Sequence, residues 1–146
     1  MNVKAIPEGY HTITPYFSVH GAASLIEFLQ NAFDAQVFER LATPDGTVMH
    51  AQVKVGDSVV MIAEAPKDGS AKLMPAMLYM YVTDVDAVYK KAVEAGGKSI
   101  MAPVDQFYGD RSGAVEDMAG NQWWIATHKE DMSSEELMKR ASQRKR

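Results

Sequence analysis

The chain has 146 residues, 47% of them hydrophobic and 23% charged, with a formal net charge of −4. This size and balance suit one domain and exclude disorder, and no apolar run nears the ~20 residues that a membrane-spanning helix needs. The absence of cysteine excludes disulfides, thiolate metal sites and cysteine nucleophiles, and it agrees with a reducing, cytoplasmic setting. The opening residues MNVKAIPEGYHTITP carry no apolar core of a secretory signal, and a membrane partner is not expected. Five of the fifteen basic residues (Lys139, Arg140, Arg144, Lys145 and Arg146) crowd into the C-terminus, which leaves an acidic body. Such a body repels a phosphate backbone, so no nucleic-acid partner is expected.

Residues 12–19 read as a strand, followed by helical spacing at Leu25, Phe28, Leu29, Ala32 and Phe33. Val37–Leu41 and the alternating Val48–Val55 are the next strands, separated by a Pro44-Asp45-Gly46 turn. Gly56-Asp57-Ser58 then turns the chain into Val59–Ala63. The order now repeats. Met77–Val82 is a strand, Asp84 caps a helix with Val85, Val88, Tyr89, Ala92 and Val93 on one face, and Gly96-Gly97 stops it. Strands follow at Ser99–Met101, Asp110–Glu116 and Gln122–Thr127, and the spacing Ser133…Glu136 starts a terminal helix.

A shift of 63 residues aligns the halves without a gap: Tyr16 meets Tyr79, Val19 meets Val82, Ala32 meets Ala95, Gly46 meets Gly109, Ala51 meets Ala114, and Ile62-Ala63 meets Ile125-Ala126. Each half reads βαβββ. One such unit makes a four-stranded sheet with a helix on one face, and its other face must be covered or used.

A tandem βαβββ pair closed by Glu116-Asp-Met-Ala-Gly-Asn-Gln-Trp123 resembles the vicinal-oxygen-chelate superfamily, which includes glyoxalase I, extradiol dioxygenases, and fosfomycin- and bleomycin-resistance proteins. Together with Asp105-Gln-Phe-Tyr-Gly-Asp-Arg111 and Ile125-Ala-Thr-His-Lys-Glu-Asp131, these residues look like its PhnB-like branch. The resemblance implies an α+β fold in which two modules curl a mixed sheet around a cleft, helices outside, with a short C-terminal helix. The expected domain is 11–128, built of repeats 11–66 and 76–128, followed by a helix and basic tail over 129–146. Leu25, Leu29, Val88 and Ala92 should be buried against the sheet face opposite the cleft.

In metal-dependent members, His, Glu or Gln on the first and last strand of each module bind one divalent ion. Carried onto this sequence, those places are Thr14, Met61, Met77 and Trp124, none a usual ligand for such an ion. No metal or other cofactor is therefore expected. Alternation sends Tyr16 inward with Thr14, and Tyr79 with Met77. It groups Val48 with His50, Gln52 and Lys54, and the 63-residue shift puts Arg111, Gly113 and Val115 in the corresponding places. Tyr108, Asp110 and Arg111, which follow a glycine-containing turn sequence, would form the rim.

The expected site thus comprises Thr14, Tyr16, His50, Met61, Met77, Tyr79, Tyr108, Arg111 and Trp124. Apolar walls with His50 and Arg111 as polar contacts suit an aromatic or amphipathic small molecule, bound without chemistry as in bleomycin-resistance proteins. The alternative is a lyase, isomerase or transferase using a relocated divalent metal, or His50 as general base. A third reading is an accessory protein whose basic tail engages an acidic partner. A homodimer is expected, since edge strands need cover.

Overall fold

The computed structural model describes residues 3–144, so Lys145 and Arg146 of the basic tail lie outside the described residues. The first module comprises β1 (Tyr16–Val19), α1 (Ala22–Phe33), β2 (Gln36–Ala42), β3 (Val48–Val55) and β4 (Ser58–Glu64). The second comprises β5 (Met77–Tyr81), α2 (Val85–Glu94), β6 (Lys98–Asp105), β7 (Asp110–Glu116) and β8 (Gln122–His128), and α3 (Ser134–Ser142) follows. The sheets have the orders β1-β4-β3-β2 and β5-β8-β7-β6. In each, the first strand lies parallel to the last and the other pairs are antiparallel.

The two helices start by the same device. The Glu64 carboxylate, ending β4, accepts the Gly21 and Ala22 N–H groups at 3.1 and 2.9 Å. At the matching position Thr127 accepts the Val85 N–H at 2.9 Å, and Asp84 caps α2 from the Ala87 N–H. Each satisfies a donor that a helix start leaves open. At the other end of α2, Gly96 adopts a φ of 109°, and the Gly97 N–H returns to the Ala92 carbonyl. Ser133 accepts the Glu136 N–H, as the capping spacing predicts for α3.

Two elements differ from expectation. Only Tyr16–Val19 of the strand expected over 12–19 joins the ladder, and the residues before Pro15 leave the sheet. Conversely β6 runs on to Asp105 past Pro103, on an edge strand with register shifts, where the missing N–H breaks no ladder.

One core serves both modules. Leu25, Phe28 and Leu29 of α1 pack in the same cluster as Val85 and Ala92 of α2 and Val115, Trp123 and Ile125 of the second sheet. Phe17 and Phe33 lie 5.8 and 5.3 Å from the Trp123 ring. Val88 is only half-buried, and Val93, expected on the packed face, is exposed. The helix-covered faces of both sheets turn toward this common core, so the helix-free faces turn away from it. This arrangement governs the site.

Candidate functional site

The pairings test the repeat directly. Tyr16 faces Met61 and Tyr79 faces Trp124, as the 63-residue shift requires for β1/β5 and β4/β8. In β3 and β7 the shift fails by one: Gln52 faces Met61, but Ala114 faces Trp124. The register jumps from Leu41–His50 to Ala42–Val48, so Met49 is an extra bulged residue in β3. The connection from β7 to β8 is one residue longer between equivalent partners, with nine residues between Ala114 and Trp124 against eight between Gln52 and Met61, and it restores the count. Two compensating changes hid inside an ungapped alignment.

A one-residue slip moves every side chain of a strand to the other face. Arg111, expected on the inner face, instead turns to the helix side. Its Nε and Nη2 donate to the two Asp86 oxygens of α2 at 2.9 Å each, and Nη1 donates to Asp105 at 3.3 Å. These bonds raise the guanidinium further above its ordinary value and hold Asp86 below its own. Val115 is a core residue for the same reason, and Gly113 packs under β6, where a Cβ would come within 3.0 Å of the Pro103 nitrogen. Val48, grouped with His50, lies across the bulge and is buried in the core.

The remaining expected residues divide between two helix-free faces. On the first sheet, the His50 and Tyr16 rings lie 6.0 Å apart, and Gln52 Nε2 is 3.4 Å from His50 Nε2. Thr14, Gln52 and Met61 line a concavity of about 500 Å3 whose other wall is the N-terminal segment, with Ile6, Pro7, Tyr10, His11 and Thr12. That wall carries no periodic pattern, and sequence reasoning missed it. On the second sheet lie Met77, Tyr79 and Trp124, and the Trp124 indole donates to Gln122 Oε1 at 3.1 Å. Thr14 and Met61 therefore do not meet Met77 and Trp124 within one chain. Tyr16, Met77, Tyr79 and Tyr81 are 57, 64, 42 and 63% exposed.

The slip that removes Arg111 brings in Asp110. This buried carboxylate accepts the Tyr79 and Tyr81 hydroxyls on Oδ2 at 2.8 and 3.0 Å, and His128 Nδ1 on Oδ1 at 2.8 Å. Burial pushes the carboxyl up, but the bonds from His128, Tyr79 and Tyr81 outweigh it and hold it below its ordinary value. Burial raises the Tyr79 phenol, with Tyr108 and Asp110 adding to it, so Tyr108 stands at this cluster. The other ring nitrogen of His128, Nε2, lies 2.7 Å from Asp131 Oδ1. The Asp110 and Asp131 bonds raise the His128 value above the ordinary 6.5. His128 remains half exposed, and alternation along β8 groups it with Trp124 on the helix-free face.

The sign of the His128 effect is set by linkage: the folded state binds this proton more tightly than the unfolded chain. Its contribution to stability is complete below pH 6.5 and is lost as pH rises through the higher folded value. The melting temperature should fall over that interval, and the fall should be smaller in His128→Gln. Equal slopes in both proteins would remove His128 as the source.

Among the described residues no group of three or more His, Asp or Glu side chains converges as a metal site would require, and no helix is long and apolar enough to cross a membrane. A concavity of about 720 Å3 lies at the junction of the modules, along the free edge of β5 and the following Val82. Its other walls include Phe33, Val88, Lys91 and Trp123.

Residues 11–125 match the glyoxalase/bleomycin resistance protein/dioxygenase superfamily. The uncharacterized protein Mb0911c of Mycobacterium bovis is 33% identical over 134 residues, covering 86% of this chain and 88% of that protein. The crystal structure of TioX from Micromonospora sp. ML1 superposes with a TM-score of 0.65 at 21% identity, over 80% of this chain and 98% of the other. A PhnB protein from Bacillus cereus gives a TM-score of 0.65 at 19% identity, over 80 and 99%.

Proposed function

The chain belongs to the glyoxalase/bleomycin resistance protein/dioxygenase superfamily, and from that premise we propose that it is a small-molecule binding protein for an aromatic or amphipathic ligand, working without a bound metal. The observation that carries this reading is the uncovered aromatic and thioether surface of the helix-free faces. Tyr16, Met77, Tyr79 and Tyr81 are ordered on strands and still largely exposed, with Trp124 beside Tyr79. A chain does not leave so much apolar surface on rigid strands without an occupant.

Each face alone is one wall of a pocket. The proposal therefore includes a homodimer in which a second copy supplies the opposite wall. Two features support it: β1 and β5 are free edge strands, and the edge of β5 borders the concavity at the module junction. We place the protein in the cytoplasm on its cysteine-free composition.

The enzymatic alternative through His50 finds less support. Its neighbours are Gln52 and Tyr16, and neither is a carboxylate that could orient the ring as a base.

Binding of the neutral fluorescent probe N-phenyl-1-naphthylamine tests the reading, with mass measured by light scattering at micromolar concentration. A dimer that binds the probe equally well after exhaustive chelation is the expected result. Trp124→Ala, shown to be folded, should weaken binding by roughly 1–3 kcal/mol. A monomer, or a probe held only in the presence of a divalent metal, would overturn it.

A further inference from the structure

Resting on the reading of the helix-free face as an aromatic-ligand surface, we propose that His128 anchors an anionic oxygen of that ligand, and that Asp131 is an internal carboxylate holding the same place. The ligand class is then an aromatic acid: a ring bearing a carboxylate or a phenolate.

The geometry of the imidazole comes first. Nδ1 lies 2.8 Å from Asp110 Oδ1 and Nε2 lies 2.7 Å from Asp131 Oδ1. An ionised carboxylate only accepts, so both ring nitrogens donate and the ring is an imidazolium. The two partners are unequal. Asp110 is buried and also holds the Tyr79 and Tyr81 hydroxyls, so it fixes the ring and cannot leave. The Asp131 side chain is fully exposed, sits three residues along the chain, and has His128 as its one polar partner among the described residues. An exposed pair of this kind contributes little. Nε2–H is therefore a charged donor on a rigid mount with a replaceable acceptor.

The surroundings choose the rest of the ligand. The Tyr81 ring stands edge-on to the imidazole at 6.4 Å, Tyr79 lies 5.4 Å from Tyr81, and Trp124 is beside Tyr79 on the next strand. Those rings make an aromatic wall that runs up to the donor. Lys129 and Glu130 follow His128, but Glu130 is paired with Arg140, and the Arg111–Asp86 pair lies on the other side of the sheet. Asp110 and His128 cancel one another in charge. An incoming carboxylate held against the aromatic wall, partly out of water, pairs more strongly with Nε2–H than the fully exposed Asp131 does, whereas a neutral aromatic leaves that pair intact.

Benzoate and benzamide differ in charge and little in shape, and tryptophan fluorescence of the full chain at about pH 6, where the imidazolium persists, reads their affinities. Benzoate should bind at least ~10-fold more tightly than benzamide, the ratio a charge-assisted hydrogen bond supplies. Asp131→Asn should tighten benzoate several-fold and leave benzamide unchanged. His128→Gln, checked for folding by circular dichroism, should erase the benzoate advantage alone. Equal affinities in the wild type, or an Asp131→Asn variant no tighter for benzoate, would overturn the assignment of Nε2 while the aromatic-ligand reading stands. If neither compound nor N-phenyl-1-naphthylamine binds, both fall.

Discussion

Asp117→Ala should destabilise the fold by about 3 kcal/mol or more, lowering the melting temperature by roughly 10 °C, although Asp117 touches no candidate ligand position. Its buried carboxylate collects four donors: the backbone N–H groups of Ala119 and Asn121 at 2.8 and 3.0 Å, the Asn121 amide at 3.1 Å and the Trp123 indole at 2.8 Å. Asn121 in turn accepts the Ala76 N–H at 2.9 Å, which fixes the entry to β5. Alanine leaves these groups facing each other in a space closed to water, and an unmet buried donor costs more than its bond contributes. Asp117→Asn should lose less, because its amide oxygen still accepts while its NH2 faces donors. Chemical denaturation of the three proteins ranks them. Equal midpoints for wild type and Asp117→Ala would show that the turn is held by its backbone alone.

The same cluster explains what the sequence resemblance rests on. Glu116-Asp-Met-Ala-Gly-Asn-Gln-Trp123 is a folding motif: its acid ties a turn, its asparagine ties the turn to β5, and its tryptophan enters the core. None of the three reaches the helix-free face. A motif of this kind identifies the fold and is silent on the ligand, so it supports family membership far better than it supports any activity.

The parts legible in the sequence are those governed by local rules. The limits of β3 and β7, the Asp84 cap, the Gly96 stop and the Ser133 cap all follow from alternation, side-chain acceptors and backbone freedom within a few residues. The site depended on two non-local quantities. One was the register of β7, in which the Met49 bulge and a longer turn cancel in length but not in facing; it exchanged Arg111 for Asp110. The other was how the modules meet. Periodicity identifies the apolar face of α1 but not that α2 shares it, and the sharing decides that the helix-free faces point apart. The first residues were opaque for a third reason: a segment with no ladder and no helix has no period to read, yet Tyr10 stands edge-on to Phe38 at 6.4 Å and its neighbours wall a concavity.

Because the modules share one core, a cavity cut in the first should unfold the second. Phe28 is the place to cut. It is buried in α1, stands edge-on to Phe33 at 5.8 Å, and packs on the bare backbone of Gly97 in the second module. A Cβ added at Gly97 would come within 3.3 Å of Phe28 Cε1 and 3.2 Å of the Val115 Cβ, so the contact uses the room glycine leaves. Phe28→Ala removes the ring and leaves a void between rigid elements, at about 3–5 kcal/mol. Both tryptophans, Trp123 and Trp124, belong to the second module. Their fluorescence should therefore report the loss at the same temperature as the far-ultraviolet circular dichroism of the whole chain, in one transition shifted down by roughly 10–15 °C. If the modules were independent, the tryptophan transition would stay at its wild-type temperature while the helical signal melted early. Coincident curves would mean that the packing holding the helix-free faces apart joins the two modules into one cooperative unit. A single chain then cannot bring its two faces together without opening that core, and it is for this reason that the proposed pocket takes its second wall from another copy.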